Sequence, residues 1–158
     1  MSASTSGIVE FISFSIGNDR YGVDIMAVRE IKGWTDIVRL PNQPDYMRGV
    51  LNLRGAMVPI VDLRCRFGQG VSETTPLHVV IIVQIADKLV GILADRVLDI
   101  VSFEAAKIQA VPQVARRSEA EVIAGLISLD DGMIAVVALE NLVSAQDVDV
   151  DAAQAQAA

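Results

Sequence analysis

The sequence predicts a mainly β protein built as two small antiparallel barrels fused along a common interface, with short helical turns between some strands. Three observations carry this prediction. The second half repeats the first: Gly49 to Leu63 aligns without gaps on Gly125 to Leu139, and upstream Ile16, Gly22, Val23, Val28, Glu30 and Ile31 match Ile85, Gly91, Ile92, Val97, Asp99 and Ile100. Short apolar runs recur at roughly 8 to 12 residue spacing with tight-turn residues between them. The chain is 52% hydrophobic over 158 residues, yet its longest mostly apolar run, Leu77 to Ala86, is far short of a membrane span of ~20 residues. Units this small gain by sharing a core.

Taken in order, Ile12, Phe14 and Ile16 alternate with Ser13 and Ser15, the period-two pattern of a strand with one wet face. A turn at Gly17-Asn18-Asp19-Arg20 leads into Tyr21 to Ile25, which makes a hairpin. The second copy repeats it with Val79 to Ile85, a turn near Asp87-Lys88, and Leu89 to Leu93. A short strand follows each hairpin, Val28 to Ile31 and Val97 to Val101. Asn42 to Gly49 carries a capping residue, an early proline and a closing glycine, which predict one helical turn. The repeated strand pair then turns at Arg54-Gly55 in the first copy and at Asp130-Asp131-Gly132 in the second.

Pro59 interrupts the return strand and cannot donate to a ladder, so an edge or a bulge is expected there. Asp62 to Phe67 and Glu140 to Gln146 read as short terminal helices, and Gly68 to Pro76 as the link between copies. The expected domain is 8–146, with a first barrel over 8–68 and a second over 77–146, the N-terminal strand being open to sharing. Residues 1–7 and 147–158 read as disordered tails. The longer connection from Val101 to Gly125, with Pro112 and Arg116-Arg117, is where the copies differ most.

Composition narrows the function. A net charge of −7 argues against a nucleic-acid surface, which needs clustered Lys and Arg. No secretory signal is visible at the start, so the expected compartment is the cytoplasm, without membrane insertion. The lone Cys65 has no cysteine partner for a disulfide or metal site and reads as a small packer. The lone His78 reads as a strand-edge residue with a hydrogen-bond partner, and no catalytic triad assembles around it. No enzyme, cofactor or metal is expected. What remains is recognition, with Arg54 projected from a tight turn and able to make fork-shaped contacts to carboxylates.

In order, Tyr21-Gly22-Val23-Asp24-Ile25, Val28-Arg29-Glu30-Ile31, Gly49-Val50-Leu51-Asn52-Leu53-Arg54-Gly55 and Val58-Pro59-Ile60-Val61-Asp62-Leu63 resemble the CheW coupling proteins of bacterial chemotaxis. Val90 to Ile100 fits as well, and the resemblance spans roughly Ile8 to Ser144. It implies two five-stranded SH3-like barrels over a shared hydrophobic core, without catalytic activity. It also implies an adaptor that links the cytoplasmic tip of chemoreceptors to the regulatory domain of the histidine kinase CheA, a monomer alone that is recruited to membrane-associated receptor arrays. Val28, Glu30, Gly49, Leu51 and Arg54 match the positions the family uses for receptor contact. Gln109, Pro112, Gln113 and Val114 fall on a kinase-contact segment, where Pro112 keeps the family pattern and the other three depart from it. Trp34 stands where the family often has tyrosine, either as an exposed anchor or as filling at the barrel rim. A coupler for a non-flagellar chemosensory output is the alternative, and a small β-barrel ligand binder or enzyme the distant one.

Overall fold

The computed structural model describes residues 7–35, 37–66, 75–110 and 122–142. Both expected tails, apart from Gly7, and Pro112, Gln113, Val114, Arg116 and Arg117 lie outside them. Ten strands run in order β1 (Ile8–Ile16), β2 (Asp19–Asp24), β3 (Val28–Gly33), β4 (Met47–Leu53), β5 (Ala56–Asp62), β6 (Val79–Ile85), β7 (Lys88–Ala94), β8 (Arg96–Glu104), β9 (Ile123–Leu129) and β10 (Gly132–Val137). One helical turn, α1 (Leu63–Arg66), follows β5, and single 3-10 turns follow β2, β8 and β10.

These strands form two five-stranded sheets, as the fold class required, but not from contiguous halves. The first sheet has the order β8-β1-β2-β10-β9 and the second β3-β6-β7-β5-β4. Each sheet therefore joins the hairpin of one repeat to the three remaining strands of the other. The expected division into 8–68 and 77–146 is corrected accordingly. The exchange is made on both sides of each hairpin, by the antiparallel pairs β1 with β8 and β6 with β3 and by the one parallel pair in each sheet, β2 with β10 at Gly22 opposite Val136 and β7 with β5 at Gly91 opposite Ile60. Glycine permits the approach: a Cβ on Gly91 would lie 2.6 Å from Ile60 Cδ1, and one on Gly22 3.2 Å from Ile134 Cγ2. Hydrophobic periodicity reports which face is buried, not which strand lies alongside, so the repeat alone could not show this.

The exchange places three apolar clusters. The central one draws Ile12, Phe14 and Val23 from the first sheet and Ile81, Val83 and Ile92 from the second. Each sheet also has its own cluster, Leu51, Leu53, Val58 and Ile82 in one, Phe11, Ile127 and Ile134 in the other. Strand β6 is apolar without a break from Val79 to Val83 because Ile81 and Val83 face the shared core while Val80 and Ile82 face the cluster of their own sheet. Phe14, fully buried, stacks on Tyr21 with ring centroids 5.8 Å apart, and burying a side chain of this size contributes about 2–3 kcal/mol. Burial, with the nearby Asp19 charge in support, pushes the Tyr21 hydroxyl up to about 12.

Four local expectations change. The Ser13/Ser15 face of β1 is not wet: Ser13 is 2% exposed, and its hydroxyl donates to the Asp99 carbonyl and accepts from the Asp99 amide, where the ladder to β8 shifts register. Such a bond supplies partners at an interrupted ladder. Asn42 to Gly49 is not helical. Met47 donates to the Pro44 carbonyl in a reverse turn, and Met47 already begins β4. Pro59 sits in a strand paired on both sides, yet the parallel ladder to β7 begins only at Ile60, so the missing N–H falls where that ladder has not started. Of the predicted terminal helices, α1 covers Leu63–Arg66 and is capped by the fully buried Asp62, which accepts from the Arg64 and Cys65 amides; the other begins in a 3-10 turn at Leu139–Asn141, and Phe67 and residues 143–146 lie outside the described residues.

Because each hairpin completes the other repeat's sheet, residues 1–68 or 77–158 expressed alone are expected to give unfolded amide spectra. Co-expression of the two pieces is expected to restore dispersed β-sheet resonances. A well-dispersed spectrum from either piece alone would contradict the exchange.

Candidate functional site

The expected recognition residues were Val28, Glu30, Gly49, Leu51 and Arg54, and the structure divides them. Glu30 lies on β3 and Arg54 in the β4–β5 turn, at opposite edges of the second sheet. Their side chains meet: Arg54 Nη2 donates to Glu30 Oε1 at 2.6 Å. Lys32, two residues on and therefore on the same face of β3, reaches the other carboxylate oxygen at 3.8 Å. Between the edges lies an open groove of about 490 Å³ lined by Glu30, Ile31, Lys32, Gly33, Thr35, Leu51 and Asn52. Leu51, only 5% exposed, joins its lining to the apolar cluster beneath.

The turn that presents Arg54 is locally determined. Arg54 and Gly55 both have positive φ, 51° and 91°, as a two-residue hairpin turn of the primed type requires. The Gly55 amide donates to Asn52 Oδ1 at 2.9 Å, which fixes the turn from the strand before it. Asn52 was not singled out by sequence reasoning, although an Asn three residues before the turn glycine is a usable signal. Lys32 and Ile31 were also missed. Arg54 itself occupies a left-handed conformation that costs an L-residue with a side chain roughly 1–2 kcal/mol. Its side chain is 74% exposed.

Val28 and Gly49 do not line the groove. Val28 is half-buried against the shared core. Gly49 is buried where the segment after β3 bridges back to β4, through mutual backbone hydrogen bonds of Val38 and Val50. At φ 147° a Cβ there would sit 2.4 Å from the Val38 carbonyl oxygen. Gly125 repeats this in the first sheet, with Gln109 O at 2.9 Å from its imagined Cβ and Gln109 paired to Leu126. Gln109 is thus exposed but anchored through its backbone.

The Arg54 hydrogen bond holds the Glu30 carboxyl below its ordinary 4.5, with the charges of Arg54 and Lys32 acting in the same direction and burial against it. Trp34 packs on the cluster of the second sheet and so fills the rim. His78 has the hydrogen-bonding surroundings expected: the Thr75 amide donates to Nδ1, and Nε2 lies 3.2 Å from Asp95 Oδ1. Burial first, then the Asp62 and Asp45 charges, raise the Cys65 thiol, which disfavours a reactive thiolate. Among the described residues no cluster of three His, Cys, Asp or Glu could hold a metal, and no helix is long and apolar enough to cross a membrane.

The groove is open, with Ile31 and Leu51 beside Glu30, Lys32 and Asn52 in its lining. The sequence pattern of the CheW-like domain matches residues 10–147. The chain belongs to the CheW-like family. It is 42% identical over 135 residues to the probable chemotaxis protein CheW of Rhizobium etli, covering 85% of this chain and 87% of that protein. Identity is also 42% over 142 residues to the chemotaxis protein CheW of Klebsiella aerogenes, covering 88% and 84%. The crystal structure of the scaffolding protein TtCheW from Thermoanaerobacter tengcongensis matches with a TM-score of 0.79 at 27% identity, over 89% of this chain and 91% of that one. Membership in the CheW-like family makes this protein a chemotaxis adaptor and not an enzyme.

Two outcomes follow from the geometry. Gly49→Ala is expected to lower stability in urea unfolding by on the order of 3 kcal/mol, since the carbonyl it meets belongs to the backbone. An unchanged midpoint would mean the segment at Val38 yields freely. For Glu30, whose carboxyl is held low in the fold, the pairing is complete above the ordinary value and is lost as pH falls through the lowered one. The carboxyl carbon should titrate below 4.5 in the wild type and move upward in Arg54→Ala, as read by NMR; identical curves would exclude Arg54 as the cause.

Proposed function

We propose that this adaptor couples the cytoplasmic tip of chemoreceptors to the histidine kinase CheA, with the receptor held at the groove between β3 and the β4–β5 turn. The observation that carries the assignment is Arg54: an arginine kept at a left-handed position that glycine would occupy without cost, and paired with Glu30, which lines the groove. Conformational cost retained in an exposed side chain argues that the side chain serves recognition. A receptor helix lying in the groove would place apolar side chains against Leu51 and Ile31 while Glu30, Lys32 and Arg54 set its orientation. Gly49 acts on this contact through the position of the segment packed above it, and Val28 through the seating of β3.

The kinase contact is assigned to the segment Gln109, Pro112, Gln113 and Val114, of which Gln109 is anchored to β9 in the first sheet. Receptor and kinase would then be engaged from different sheets. Outside an assembly the chain acts as a cytoplasmic monomer, and binding to receptors recruits it to membrane-associated arrays.

Arg54→Glu is expected to weaken capture of a receptor-tip fragment at least tenfold while thermal stability stays within about 0.5 kcal/mol. Arg54→Gly is expected to match or exceed wild-type stability and still lose the receptor, because it relieves the left-handed strain and removes an exposed side chain together with its guanidinium. Undiminished receptor binding by both variants would overturn this placement of the site.

A further inference from the structure

The two crossings between the sheets are not alike. From β2 to β3 the chain passes through a three-residue 3-10 turn, Ile25–Ala27, whose capping Asp24 accepts from Met26 within the same turn. From β7 to β8 it passes through Asp95 alone. The Asp95 carboxylate binds elements of both sheets. Gly17, in the β1–β2 turn of the first sheet, donates its amide to Oδ2 at 2.7 Å. From the second sheet, Arg64 in α1 reaches both carboxylate oxygens, at 3.3 and 3.1 Å, and His78, just before β6, reaches Oδ1 at 3.2 Å. The Asp95 amide donates to the Ser15 carbonyl of β1 at 2.9 Å.

We infer that Asp95 is a pin that fixes the orientation of one sheet against the other, so that a receptor held on the second sheet and a kinase held on the first keep a set geometry. The inference rests on the coupling role proposed above. One carboxylate accepts hydrogen bonds from the Gly17 amide and the Arg64 guanidinium and lies within ion-pair distance of His78, and bonds between a guanidinium and a carboxylate are both stronger and more directional than neutral ones. The backbone through Asp95 is the shortest route between the sheets, whereas the 3-10 crossing at Ile25–Ala27 buries no residue. Releasing the pin leaves the shared apolar core in place but removes the directional contacts, since apolar packing itself is non-directional. Asp95 is thus a positioning residue, distant in role from the groove and from Gln109.

The test is Asp95→Asn in the full chain. A carboxamide keeps the size but loses the charge and one acceptor oxygen. Expected results are at least tenfold faster hydrogen exchange at the Gly17 amide and a broadened distance distribution between spin labels at Asp87 and Ser128 in a Cys65→Ser background. Affinities for a receptor-tip fragment alone and for the kinase regulatory domain alone should stay within twofold, while receptor-dependent kinase activation in the three-component mixture falls at least fivefold. Activation at wild-type level, or binary affinities that fall as far as activation does, would overturn the pin. Arg64→Met, which keeps the stem and removes the two-oxygen contact, should give a smaller loss of the same pattern and decides the matter if Asp95→Asn does not fold. A wild-type chain that activates no kinase would overturn the coupling role instead, while the Gly17 exchange and label distances still report on the pin.

Discussion

The parallel pairing of β2 with β10, and of β7 with β5, is the contact on which the rest of the structure depends. Without it each hairpin would keep only its antiparallel neighbour, β8 or β3, and each sheet would split into a three-strand and a two-strand piece. With it, the shared core receives side chains from both repeats, and neither repeat can be removed without dismantling both sheets. Gly22 and Gly91 make the approach possible, since the bond between strands brings Ile134 or Ile60 to a point where a methyl group would meet them at 3.2 or 2.6 Å. The duplication seen in the sequence is therefore a pseudo-symmetric interlock rather than two beads on a string.

Much of the fold could be read before the structure. Arg54-Gly55 was legible as a turn because it sits between two apolar runs and glycine accepts positive φ. The exchange was not legible, because Gly22 and Gly91 look like ordinary strand glycines until their neighbours are known. Ser13 misled for a related reason: polar residues in a period-two pattern normally face water, and only the register shift opposite Asp99 gives this hydroxyl an interior partner. The helical reading of Asn42 to Gly49 weighed caps and proline correctly as punctuation but mistook successive turns for a helix.

The site was partly legible. Glu30 and Arg54 stand 24 residues apart in the chain and meet across the edges of one sheet; the family resemblance marked both for receptor contact, but neither it nor periodicity paired them with each other. Gly49 and Val28 also stood out by resemblance, and the structure gives them a different physical place, one beneath the segment at Val38 and the other against the shared core. Lys32 escaped notice, and Asn52 was noted only as part of a motif and given no role, because an alternate lysine on a strand and an asparagine near a turn are common on solvated surfaces. Their partners, Glu30 and the Gly55 amide, are what distinguish them.

The interlock also orders events in time. β1 and β2 leave the ribosome early, yet β10, which pairs with β2, follows roughly a hundred residues later, and at about 5–20 residues per second the wait is roughly 5–20 s. For that interval the first hairpin lacks its parallel neighbour, and for roughly the first two-thirds of it also lacks the strand β8 that flanks its other side. Non-local pairing of this kind slows folding, because loop-closure entropy is lost before contacts offset it. The nascent chain thus holds an apolar, unpaired edge for seconds, which makes the first hairpin the natural place for a chaperone to bind during synthesis.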